Sequence, residues 1–119
     1  MAYSLNKLKK ELTENGYAED GLVAWGNESS GFLFGGIGGA LGGMHVISKK
    51  GDAIYVIPFG KEILYNQALV FEKQNIASAT VKGLLGKKLV VKTKDGKEFK
   101  YAITQGAGDV KTILEKLGF

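Results

Sequence analysis

The chain has no cysteine and no arginine, one proline and one histidine. Without cysteine there are no disulfides, thiol nucleophiles or thiolate metal sites, and the usage fits a reducing compartment. Without arginine, all sixteen basic residues are lysine. Arginine is the usual bidentate reader of phosphate, carboxylate and guanine, so specific nucleic-acid recognition is not expected. A net charge of +4 carried by scattered lysines still allows weak attraction to an anionic surface. The single histidine, His45, excludes a multi-histidine metal site, and at the edge of an apolar run it reads as a packed residue. The opening MAYSLNKLKKELTENG is charged and helical in pattern, with no apolar core of a signal peptide. The expected location is cytoplasmic, with the inner membrane face as a place of attachment.

What is abundant is glycine. Of eighteen, seven fall between Gly31 and Gly43 in the run GFLFGGIGGALGGMHVI. Gly31, Gly35, Gly39 and Gly43 recur every four residues, which on a helix would clear one face for close packing or self-association. Three conformations compete for residues 31–47. A membrane span of this length would cover about 25 Å, short of a ~30 Å hydrocarbon core. A helix in water would lose on the order of 7 kcal/mol relative to alanine. A strand or packed loop would use the glycines for close backbone approach or sharp turns. Fragments such as GIGGALGG lack the preceding strand, following helix and Lys-Ser/Thr pair of a phosphate cradle, so no nucleotide cofactor is expected.

At 119 residues the chain fits one domain, 1–119, long enough for a core without staples. The N-terminal segment 1–16 reads as a helix over Ser4–Asn15, with Leu5, Leu8 and Leu12 along one side and Gly16 as its stop. Its lysines come early and its glutamates late, against the macrodipole, so it is expected to dock on the body or on a partner. LVAWG (22–26) reads as a strand anchored by Trp25, and Asn27 to Gly31 as a turn. Strands follow over 44–104: Met44–Ser48, Ala53–Phe59, Ile63–Asn66 (or on to Phe71), Ile76–Lys82, Lys87–Thr93 and Glu98–Thr104. Pro58 belongs at a strand end or sheet edge.

The unit KKLVVKTKDGKEFKYAIT fixes a register. A two-residue Asp95-Gly96 turn would pair Val91 with Lys100 and waste the apolar face. A three-residue loop, Lys94-Asp95-Gly96 with glycine left-handed, pairs Leu89 with Tyr101 and Val91 with Phe99. That second register leaves Lys92, Glu98 and Lys100 on the wetter face. A capping helix over 109–117 has Asp109 as N-cap and Val110, Ile113, Leu114 and Leu117 as its apolar stripe. Gly118 would end it left-handed, and Phe119 would fold back on Leu114.

Strands from Met44 onward followed by one amphipathic helix resemble the bacterial form of the pleckstrin-homology-like group. The resemblance is carried by AIYVIPFG as an early strand and FEKQNIASATVKG, whose Ile76 enters the core. KKLVVKTKDGKEFKYAIT is similar to the late hairpin, and DVKTILEKLG to the capping helix. The resemblance implies a mainly β (α+β) fold, a bent antiparallel sheet or partial barrel of about seven strands closed by the C-terminal helix. It implies a non-enzymatic scaffold for lipid headgroups, peptides or further copies of itself. The phosphoinositide-binding members use a basic loop, usually with arginine, between their first two strands. Lys49-Lys50-Gly51-Asp52 stands in that approximate place, where Asp52 would weaken phosphate binding.

The carboxylates show no D-x-D or E-x-x-H spacing, so no metal site and no acid–base pair are expected. A catalytic reading would need a pocket gathering Glu28, His45 and a tyrosine. Lys82, Lys87 and Lys88 flank Gly83-Leu84-Leu85-Gly86, an apolar tip with basic shoulders that suits an anionic membrane surface. The ordinary alternative folds both leucines over the barrel rim and leaves the lysines solvated. The expected function is a non-catalytic interaction scaffold that binds a protein, itself or a membrane. The alternative is a glycine-zipper self-assembly or membrane-associating element carried on a β-domain.

Overall fold

A computed structural model describes residues 3–29, 43–83 and 86–119. The first helix, α1 (Leu5–Glu14), is capped by Ser4, whose Oγ accepts from the Lys7 N–H at 3.2 Å. It gives way through Asn15 to Gly16 at φ +79°. Seven strands follow: β1 (Val23–Glu28), β2 (Met44–Lys50), β3 (Ala53–Phe59), β4 (Leu69–Glu72), β5 (Ile76–Lys82), β6 (Lys88–Thr93) and β7 (Glu98–Gln105). The last element is α2 (Ala107–Leu117). All strand pairs are antiparallel, in the order β4-β3-β2-β1-β7-β6-β5. The sheet is a curled half-barrel made of two meanders joined at β1 and β7.

Alternation of side chains along the strands gives the sheet two faces, each with its own core. The concave face packs Ala24, Ile47, Ile54, Leu89, Val91 and Tyr101 against the α2 stripe of Val110, Ile113, Leu114 and Leu117. Burial of those four helix side chains contributes ~6–10 kcal/mol gross. The convex face of β1–β3 carries Val23, Val46, Ile57 and Phe59 against Leu8 and Leu12 of α1, both fully buried. Trp25 and Tyr3 meet the Phe59 ring edge-on at 6.0 and 5.8 Å.

The late hairpin takes the three-residue loop. Leu89 pairs with Tyr101 and Val91 with Phe99, with Gly96 at φ +92°. The end of α2 also follows its sequence signal. The Gly118 N–H donates to Glu115 O at 3.0 Å and the Phe119 N–H to Leu114 O at 2.8 Å, with Gly118 left-handed at φ +91°. The Phe119 side chain itself remains 39% exposed.

Four local expectations are corrected. Asn27 and Glu28 continue β1 rather than turning, because both pair with β2 or β7. Ile63–Asn66 is not a strand: Ile63 makes one isolated bridge to Phe59, and Tyr65–Gln67 forms a 3₁₀ turn. The cause is Pro58, whose carbonyl accepts from the Leu64 N–H at 2.8 Å. A strand residue's N–H points to the same side as its C=O, so proline lacks the donor that would extend the ladder here. Pairing resumes only from Leu69.

Asp109 is not the N-cap of the last helix. Gly106 holds that place at φ +95°, and a Cβ on it would lie 2.7 Å from the Ala24 Cα. Asp109 sits in the first turn, where its carboxylate favours the positive helix end. Its Oδ2 accepts from the Val23 N–H at 3.2 Å and pairs with Lys9 at 3.3 Å, joining α2, β1 and α1. Finally, Lys49-Lys50-Gly51-Asp52 forms the turn between β2 and β3, not the connection between the first two strands. Lys49 there pairs with Glu19 at 2.7 Å, and Lys50 lies 4.7 Å from the centre of the Tyr17 ring.

Candidate functional site

The second meander, β5–β7, buries one face against α2 and presents the other outward. The registers place Lys82, Lys88 and Ala102 side by side in one row across the three strands. Thr80, Val90 and Lys100 form the next row, and Ser78, Lys92 and Glu98 the third. Val90, 7% exposed, is the floor between longer polar side chains. Lys82, Gly83, Gly86, Lys88, Val90, Glu98 and Lys100 line a recess of about 380 Å³ on this face.

The loop beside the recess is pinched. A Cβ on Gly83, at φ +125°, would lie within bonding range of the Gly86 carbonyl, so only glycine fits there. Lys87 closes the pinch by donating from Nζ to Gly83 O at 2.9 Å. On the face itself, Glu98 lies 3.3 Å from the Lys100 ammonium and 3.5 Å from that of Lys92. The hydrogen bond from Lys100 is the main cause that holds the Glu98 carboxyl below the usual carboxylate range. Among the described residues neither Lys82 nor Lys88 meets a carboxylate. The two lysines are direct cross-strand partners, an arrangement that is repulsive on its own.

Of the residues singled out by sequence, Lys82 and Lys88 line the recess and Lys87 braces its loop. Leu84 and Leu85 lie outside the described residues. So do Gly31, Gly35 and Gly39. Gly43 is described, and its carbonyl accepts from the Glu28 N–H at 3.4 Å and faces His45 Nδ1 at 2.8 Å. Sequence reasoning missed Lys92, Lys100 and Glu98 as members of the site. The signal was present in the charge order. Between Lys82 and Lys100 stand seven lysines and two carboxylates, while the rest of the chain has nine lysines against ten carboxylates. The lysines are therefore not scattered in effect: the whole positive surplus belongs to β5–β7.

A second polar group sits on the concave face. Glu28 pairs with Tyr101 across β1 and β7, and the His45 ring lies 5.7 Å from that of Tyr101. They meet beside Gly26, where a Cβ would clash at 1.9 Å with the Ala102 carbonyl. His45 is 5% exposed and Tyr101 fully buried, so neither ring is open to solvent. Burial lowers the His45 pKa and raises that of Tyr101, keeping both neutral. Nδ1 of His45 is engaged by the Gly43 carbonyl.

Among the described residues no three histidine or carboxylate side chains group as a metal site. Among them, too, no helix is long and apolar enough to cross a membrane. Comparison with protein-family models and with curated proteins returns no match.

Proposed function

We propose that the chain is a non-catalytic interaction scaffold that docks on an anionic membrane surface through the outer face of β5–β7. The observation that carries this reading is the unbalanced charge of that face, with Lys82 opposite Lys88 and, among the described residues, no carboxylate paired with either. Each lysine near anionic lipid contributes about 1 kcal/mol, so three or four together give a weak, salt-sensitive attachment. In sequence, Leu84-Leu85 stands between the lysines as an apolar tip for the interface. A cytoplasmic protein held at the inner membrane face fits this balance of charge and apolar reach.

The sheet order and the C-terminal helix are loosely compatible with the pleckstrin-homology-like resemblance, whose members serve as scaffolds. The displacement of Lys49–Asp52 to the β2–β3 turn counts against the headgroup loop of that group. The β5–β7 face is a different surface.

Co-sedimentation with phosphatidylglycerol-containing vesicles at low salt tests the reading. The unmodified chain is expected in the pellet, and Leu84→Ser with Leu85→Ser is expected to release it while the fold is retained. An unmodified chain that stays in the supernatant overturns membrane docking.

A further inference from the structure

We propose that the recess among Lys82, Lys88 and Lys100 is a seat for one dianionic phosphate monoester, and that Glu98 sets how readily it fills. This rests on the reading of the outer face as anion-seeking and adds a defined ligand to it. The first ground is the cross-strand pair. Lys82 and Lys88 face each other with no carboxylate between them among the described residues. An oxyanion placed there turns a repulsion into charge-assisted hydrogen bonds from both sides.

Charge count selects the ligand. Three ammonium groups and one carboxylate line the recess, a surplus of two positive charges. A phosphate monoester carries about −1.5 to −2 near neutral pH, which matches that surplus. A diester, with a single charge, leaves half of it unmet. Size agrees: 380 Å³ accommodates a phosphoryl group together with part of the molecule bearing it. Gly83 and Gly86 line the recess at the loop end. The β5–β6 register sets Lys82 and Lys88 directly opposite each other at the two ends of the loop.

Glu98 occupies the other end. Its carboxylate already engages Lys100 and Lys92, so it orients the Lys100 ammonium and repels an incoming anion. Glu98→Gln keeps the shape, removes that repulsion and leaves Lys100 able to turn toward the ligand. The same monoester chemistry is present in phosphatidic acid and in soluble glycerol phosphate.

The test uses the full chain in two arms. In the first, vesicles containing phosphatidic acid are compared with phosphatidylglycerol vesicles of matched surface charge. In the second, the Val90 methyl resonances are followed during titration with glycerol phosphate. Phosphatidic acid is expected to bind about fivefold more tightly, with Lys88→Ala erasing the preference and Glu98→Gln raising affinity about fivefold in both arms. Equal binding to the two vesicle types with unmoved Val90 resonances overturns the seat and leaves membrane docking standing. Val90 shifts without vesicle binding uphold the seat for a soluble phosphate and overturn docking. Silence in both arms overturns both.

Discussion

The two meanders of the sheet are treated oppositely. β1–β3 is covered on both sides: α2 and the concave core on one face, α1 with Leu8 and Leu12 on the other. β5–β7 shares the concave core and carries lysines on its outer face. In the first meander several polar groups are engaged locally. Ser48 donates to Tyr17 O at 2.6 Å, Lys49 pairs with Glu19, and Lys50 lies over tyrosine rings. In the second, two lysines are left facing each other. The difference separates a half that stabilises from a half that presents a surface.

The junction of the halves is the most sensitive place to break this arrangement. Gly26 lies on β1 where the register with β7 shifts, and any side chain there enters the Ala102 carbonyl. Gly26→Ala is expected to lower unfolding free energy by about 3 kcal/mol or more, read from denaturant melts. Next comes the covered convex face. Leu12→Ala should lose about 2–5 kcal/mol, because Leu12 is fully buried between α1 and the sheet. Thr80→Ala, at an exposed position on the opposite meander, should stay within about 0.5 kcal/mol of the unmodified chain. Equal losses at both positions would erase the contrast.

A smaller effect concerns pH. An unfolded histidine titrates near 6.5, and burial lowers the value for His45 in the fold. Below that unfolded value the unfolded chain binds more protons than the folded one. Stability should therefore be full above it and decline as pH falls through the folded-state value. A denaturation series across this window checks the slope, and His45→Gln should flatten it. Smallest of all, Lys88→Ala should leave stability unchanged or raise it by a few tenths of a kcal/mol, since it removes a like-charge pair. A clear loss there would mean that Lys88 supports the fold.

Where local chemistry and tertiary packing agree, the sequence was readable. The Asp95-Gly96 region allowed two registers, and the apolar pairs Leu89–Tyr101 and Val91–Phe99 chose the observed one. The α2 stripe and Gly118 were equally legible, because periodicity and a left-handed glycine leave few alternatives. Asp109 misled because a cap is a local signal, whereas the start of α2 is fixed by how closely Gly106 approaches Ala24. Ile63–Asn66 misled because its strand-like composition says nothing of the donor missing at Pro58 on the neighbouring strand. For the site, the lysines on either side of the Gly83–Gly86 loop were visible as neighbours in the chain. The β6–β7 register puts Lys100 and Glu98 on the outer face, but only the pairing of β5 with β6 brings Lys82 to the same recess.

The absence of native cysteine allows a single environment-sensitive label to be placed on either half. Thr80→Cys puts it on the outer face of β5, and Gln67→Cys on an exposed turn beside β4. On addition of phosphatidylglycerol vesicles, the emission of the Thr80→Cys label should shift to the blue while the Gln67→Cys label stays unchanged. A shift confined to the Gln67→Cys label, or equal at both positions, would contradict docking through the lysine-bearing meander.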